Sequence, residues 1–163
     1  TSSLVFAETM SLITKRLGST YFLAQERTTI IEPSIAVVRP PTRVEFRIVS
    51  VDWEVLSDIH PNVFVERREY SIVKSNGKKQ SVVDAVIFND TPFDYRSVDV
   101  SLTVFDSDGN LLGTNKIILE HVRGGTRQQV RSIWPQELGG EVSSVEAVTR
   151  INMFDPEIIE KPQ

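Results

Sequence analysis

The stretch VDVSLTVFDSDGNLLG, residues 98–113, contains an apolar–polar alternation, a polar turn and the start of a second apolar run. Every second residue from Val98 to Val104 is Val or Leu, and the residues between them are Asp, Ser and Thr. This period of two is typical of a β-strand with one buried face. The turn DSDGN contains Gly109, which can adopt the positive φ that tight turns need. We therefore predict a β-hairpin whose first strand contributes four apolar residues to a core.

A second hairpin is predicted upstream of the first. The strand-like segments 64–73 and 80–88 flank Asn76-Gly77, a dipeptide that strongly favours a hairpin turn. Residues 126–134 fit either a strand or a short helix, and no window longer than about ten residues keeps a capped helical stripe. Many short strands with Gly and Pro turns predict an all-β sandwich or barrel. Four more strands are expected, at Thr20–Ala24, Arg43–Val51, Thr126–Ile133 and Val142–Met153.

Composition excludes several classes of function. The 163 residues include 18 Lys and Arg against 22 Asp and Glu, for a net charge of −4. A broad face for phosphate backbones is not expected at this charge, so we expect no nucleic-acid partner. The chain has no cysteine, which excludes disulfides and thiolate metal sites. No segment approaches the roughly 20 apolar residues of a spanning helix, so we expect membrane attachment only through an anchor outside this chain.

The start of the chain repeats part of the quoted hairpin. LVFAETMSLI, residues 4–13, aligns with it at an offset of 99 residues, which matches Val5 with Val104. At an offset of 101 residues, Val44-Glu45 aligns with Val145-Glu146. A period near 100 residues is the size of one small β-sandwich domain. The chain is therefore predicted to begin inside a first domain and to continue with a second one.

This repeat predicts the domain organisation. A half-sandwich leaves unpaired strand edges and one side of its core uncovered. We expect a protein partner, the polypeptide upstream of this chain or another copy of the chain to cover it, and we expect Val5 and Leu12 to face the covered side. The predicted segments are the C-terminal half of a first sandwich (1–54), a linker (55–61), a complete second sandwich (62–155) and a tail (156–163).

Residues 85–113 carry a motif that relates the chain to a known family. An apolar strand ends in the turn Asn89-Asp90-Thr91-Pro92, and the next strand ends in Leu102–Asp106 before the DSDGN turn. In these features the segment resembles the FxLYD class of bacterial immunoglobulin-like domains, with Phe105 in place of the usual tyrosine. The resemblance implies an all-β fold of about one and a half tandem immunoglobulin-like sandwiches. It also implies the extracytoplasmic part of an anchored envelope or surface protein without an active site.

Two polar patterns invite a metal-binding interpretation. Asp106, Asp108 and Asn110 match the start of a calcium loop, but residue 117 is Ile where such a loop needs a distal acid. His60 and His121 have no further ligands at metal spacing, so we expect solvated side chains. We therefore predict no metal and no cofactor. The acceptor sequence at Asn89 is followed by Pro92, so we expect no glycosylation.

No nucleophile, base and orienting group can be assembled from the sequence, so we predict that the protein is not an enzyme. We expect Trp53 and Trp134 to fill the ends of the two cores, and an exposed Trp134 would suit a partner contact. Basic residues on sheet edges more often prevent edge pairing than bind a ligand. The function predicted is a structural or protein-binding module, and the alternative is a module that binds a small ligand or glycan. The candidate partner contacts are Trp134, Arg123, Arg127, Arg131, Val5 and Leu12.

Overall fold

The computed structural model describes residues 2–8, 11–22, 28–32, 35, 37–54 and 61–160, with the backbone alone for 2–8 and 11–13. Within these ranges the chain forms nine β-strands and no helix, and hence no helix that could cross a membrane. The predicted all-β fold is confirmed. The strands are β1 (Ser2–Glu8), β2 (Ser11–Gly18), β3 (Val44–Ile48), β4 (Val63–Ser75), β5 (Lys78–Asn89), β6 (Tyr95–Phe105), β7 (Leu111–Val122), β8 (Arg127–Trp134) and β9 (Ser144–Arg150).

The chain divides into two compact units, unit 1 (Thr1–Ser57) and unit 2 (Asp58–Gln163). Unit 2 contains two three-stranded antiparallel sheets, sheet I in the order β4-β5-β8 and sheet II in the order β7-β6-β9. The two hairpins lie in different sheets, and the last two strands join one sheet each. This is the strand order of an immunoglobulin-like sandwich, with sheet I in the places of strands A, B and E. Segment 126–134, for which a helix was the alternative, forms strand β8.

The core of unit 2 lies between the two sheets and follows the predicted alternation. Sheet II contributes the four apolar residues of the quoted strand, all fully buried, together with Tyr95 at the start of β6. On the opposite side of the core, sheet I contributes Val83, Ala85, Ile87 and Val130. The hairpin turns also form as predicted, because Asn76, Gly77 and Gly109 adopt positive φ angles of 52°, 75° and 80°. The residues of β6 in this core are Val98, Val100, Leu102 and Val104.

Side chains close the two open sides of the sandwich. On one side, Arg68 of β4 donates from Nε to the Val145 carbonyl of β9 at 2.5 Å. On the other side, Asn115 of β7 donates from Nδ2 to the Ser132 hydroxyl of β8 at 2.9 Å. Such bonds satisfy polar groups between edge strands that no further strand covers. The two bonds therefore link sheet I to sheet II at both sides of unit 2.

The segment predicted as a tail belongs in part to this sandwich. Ile158 is buried in the core, and its carbonyl accepts a bond from the Arg96 amide at 2.8 Å. The Glu160 amide donates to the Asp94 carbonyl at 2.8 Å. The second sandwich therefore continues to Glu160, beyond the boundary predicted at residue 155.

Unit 1 contains one antiparallel sheet in the order β2-β1-β3. The strand predicted at Arg43–Val51 forms over a shorter range, as β3. Residues 20–22 of the strand predicted at Thr20–Ala24 do not form a strand, and residues 23 and 24 lie outside the described residues. Most of the predicted linker, residues 55–60, lies outside them as well.

Candidate functional site

The sheet of unit 1 has the same plan as sheet II of unit 2. In both, a central strand pairs with its hairpin partner on one side and with a later strand on the other. Both central strands also contain a register shift in the hairpin pairing, between Phe6 and Ala7 in β1 and between Val104 and Phe105 in β6. The shared irregularity aligns Phe6 with Val104. The predicted match of Val5 with Val104 is therefore displaced by one residue.

The third strands of the two sheets correspond at the predicted offset of 101 residues. Phe6 pairs with Val44, and its counterpart Val104 pairs with Val145. Two pairs further along the sheet, Phe46 lies in the place of Ala147. This agreement across both strands makes Val44, Phe46 and Ile48 the counterparts of inward-facing positions of β9.

These three residues, here called the β3 face, differ from their counterparts in burial. Val145 and Ala147 pack against the core of unit 2. Val44, Phe46 and Ile48 are instead 53%, 46% and 56% exposed. No unit 1 side chain that the structure describes is buried. The β3 face is thus an exposed apolar row that no described part of unit 1 covers.

The two tryptophans have opposite environments. Trp134 is partly buried and packs against the core of unit 2, close to Gly113. Its predicted place at the end of the second core is therefore correct. Trp53 is 86% exposed and follows the β3 face in sequence, so its predicted place in a core is wrong. An exposed tryptophan is typical of a protein-binding surface, which makes Trp53 the better contact candidate of the two.

The basic candidates lie on the outer surface of unit 2, and two of them are engaged in ion pairs. Arg127 donates to both carboxylate oxygens of Glu66 at 2.7 and 2.8 Å, and its guanidinium lies 4.1 Å from the centre of the Phe88 ring. Arg131 binds both oxygens of Asp84 at 2.7 and 2.9 Å. These bonds lower the pKa of each carboxylate and raise the pKa of each guanidinium. Arg123 is exposed.

Exposed ion pairs of this kind contribute little to stability.

Val5 and Leu12 lie in β1 and β2, where Val5 pairs with Lys15 and Glu45, and Leu12 pairs with Ala7. The side chains of Val5 and Leu12 lie outside the described part of the chain, so their orientation stays a prediction.

The turn at Asp106 uses its carboxylate for local bonds. One oxygen accepts from the backbone amides of Asp108 and Asn110 at 2.9 and 2.8 Å, and the other accepts from the Asn110 side chain at 2.9 Å. The Asn110 side-chain bond is the main cause of the lowered pKa of Asp106. Among the described residues no three His, Asp or Glu side chains are placed to hold a metal ion. The absence of a metal site in the whole chain stays a prediction.

The remaining polar candidates have structural partners. His121 Nδ1 lies 2.5 Å from Glu160 Oε1 and so holds the C-terminal segment, whereas His60 lies outside the described residues. Asn89 of the acceptor sequence is fully buried. A shallow groove at one end of unit 2 is lined by Arg96, Ser97, Glu120 and His121, without an aromatic side chain.

Known proteins show only a weak likeness to this chain. No protein-family model matches the chain, and no curated protein is similar to it. A solved structure of a DUF1425 family member from Shewanella sp. pv-4 is 16% identical, covers 61% of this chain and 87% of its own, and has a TM-score of 0.40. At this score the likeness is weak. The assignment of an immunoglobulin-like sandwich therefore rests on the strand order and core of unit 2.

Proposed function

We propose that the chain is a non-catalytic structural and protein-binding module in which another polypeptide covers the β3 face. The observation that carries this proposal is the exposure of Val44, Phe46 and Ile48. Their counterparts in unit 2 are Val145 and Ala147, which pack against the core, and Thr149, whose hydroxyl donates to the Val63 carbonyl of β4 at 2.5 Å. Exposed apolar patches on a protein surface often mark protein-binding sites. The exposed side chains of Val49, Val51 and Trp53 extend this apolar segment beyond the strand.

The non-catalytic part of the proposal rests on how the polar groups of unit 2 are used. Asp84, Glu66 and Asp106 each bind structural donors within the sandwich. Among the described residues no three His, Asp or Glu side chains are placed to hold a metal ion. These carboxylates are therefore engaged in local bonds within the sandwich and its turns.

The setting of the module rests on the resemblance of residues 85–113 to FxLYD-type domains. By that resemblance, the chain is the extracytoplasmic part of a larger envelope-associated or surface-assembly protein. A glycan-binding role has less support, because the groove at His121 is charged and lacks the aromatic side chains that would stack on a sugar.

Dye binding tests whether the β3 face is open. A dye such as ANS fluoresces on exposed apolar surface, so the purified chain is expected to enhance its emission. Phe46→Glu is expected to remove most of this enhancement. Val148→Glu is the matched control, because Val148 is 51% exposed on the outer side of β9. A wild-type chain that binds no dye, or two variants that lose emission equally, would contradict the proposal.

A further inference from the structure

We infer that the start of β6 is a binding site for an acidic peptide, and that residues 155–160, here called the docked segment, occupy this site in the structure. The site lies in unit 2, so the inference goes beyond the proposed function and does not depend on the β3 face. The docked segment, with the sequence DPEIIE, shows the class of ligand, because its two isoleucines stand between glutamates.

The docked segment binds the backbone of β6 as an added strand does. The Arg96 amide donates to the Ile158 carbonyl at 2.8 Å. The Glu160 amide donates to the Asp94 carbonyl, also at 2.8 Å. Backbone bonds to a sheet edge, combined with pockets for side chains, are a common mode of recognition for extended peptides. The backbone geometry therefore suits a peptide ligand of any origin.

An inserted loop separates the docked segment from β9. Strand β9 pairs with the same edge of β6 and places Arg150 opposite Asp99. A continuation at this register would bring residue 154 opposite Tyr95, but Ile159 forms the antiparallel bridge with Tyr95 instead. The docked segment is thus a second, separate addition to this edge. Its release requires a local opening that leaves the pairing of β9 with β6 intact.

One apolar anchor and two ion pairs define which side chains the site accepts. Ile158 is 3% exposed and packs within the core of unit 2. Just before it, Glu157 Oε2 lies 2.5 Å from Arg96 Nη1. After it, Glu160 Oε1 lies 2.5 Å from His121 Nδ1. The matching ligand is therefore an extended peptide with an aliphatic residue between two carboxylates.

The charged contacts of the docked segment are open to competition. The side chains of Arg96 and Glu157 are 51% and 77% exposed, and ion pairs this exposed contribute little to stability. Arg96 and His121 also line the charged groove described above. His121 adopts a positive φ of 54°, and such uncommon conformations cluster at binding sites. A second peptide with the same contacts can therefore replace the docked segment.

Fluorescence anisotropy with a labelled peptide of the sequence DPEIIE tests the inference in the full chain. The wild-type chain is expected to bind the peptide weakly, because the tethered segment competes at a high effective concentration. Ile158→Asp places a carboxylate at the buried anchor, so it is expected to open the site and raise the apparent affinity at least about ten-fold. Val148→Asp is the matched control on the outer side of β9 and is expected to leave the weak binding unchanged.

Glu157→Lys combined with Glu160→Lys opens the site in a second way, because it places lysines beside Arg96 and His121 while Ile158 stays. This variant is also expected to bind the peptide more tightly than the wild-type chain, whereas a DPEDIE peptide is expected to bind neither opened variant. Equal binding of the two peptides, or no gain in affinity in either variant, would overturn the inference. Loss of the unit 2 fold in both variants would overturn it too, because the docked segment would then be an indispensable part of the core. None of these outcomes changes the dye result expected for the β3 face.

Discussion

Replacing Leu102 with alanine is expected to lower the free energy of unfolding of unit 2 by about 2–5 kcal/mol. Leu102 is fully buried at the middle of β6, between the inward-facing Val100 and Val104. Removing its side chain beyond Cβ leaves a cavity that both sheets surround, and the paired strands limit how far the site can collapse. Denaturant unfolding monitored by tryptophan fluorescence measures the change.

Leu111→Ala is the matched control for this experiment. Leu111 begins β7 and is 59% exposed, so its truncation is expected to cost less than about 0.5 kcal/mol. A small effect of Leu102→Ala, comparable with that of the control, would mean that β6 is shifted by one residue and presents Asp99, Ser101 and Thr103 to the core.

Asn89→Ala is the second change with a large expected effect, a loss of about 2–4 kcal/mol because several buried polar groups lose their partner at once. The Asn89 side chain donates to the carbonyls of Phe93 and Val122 at 2.8 and 3.2 Å. Its oxygen accepts from the Thr91 amide at 3.2 Å and from the Thr91 hydroxyl at 2.7 Å. The residue thus ties the end of β5 to the turn and to the end of β7.

Asn62→Ala provides the comparison for Asn89→Ala. Asn62 is exposed, and its side-chain amide binds Asp90 at 3.1 Å, so its removal is expected to change stability by less than about 0.5 kcal/mol. Equal midpoints for the two variants in urea would show that the Asn89 bonds do not hold the turn.

The hairpins of unit 2 could be predicted because their signals are local. The alternation over residues 98–104 and the glycine of the following turn lie within one short window, and each specifies the same register. The same is true of Asn76-Gly77 between β4 and β5. The ion pairs of Arg127 and Arg131 could not be predicted, because they depend on the pairing of β8 with β5, which is distant in sequence.

The β3 face shows a different limit of sequence reasoning. Alternation in VEFRI identifies one apolar side of the strand, but burial of that side depends on a second sheet, which the strand itself does not encode. The sequence therefore predicts Trp53 in a core, whereas the structure exposes it. The predicted offset between β1 and β6 differs by one residue from the offset in the structure. An alignment of apolar runs does not detect the register shift after Phe6, so it cannot place the two strands exactly.

Hydrogen exchange measured by mass spectrometry tests the central claim most directly, namely that unit 1 is an open half of a sandwich whereas unit 2 has two packed sheets. At a protein concentration low enough for monomer, backbone amides of β3 are expected to exchange orders of magnitude faster than those of β5 and β6, because one side of their sheet lacks a packed layer. A chain that sediments as a monomer and protects residues 44–48 as strongly as residues 98–104 would contradict the account.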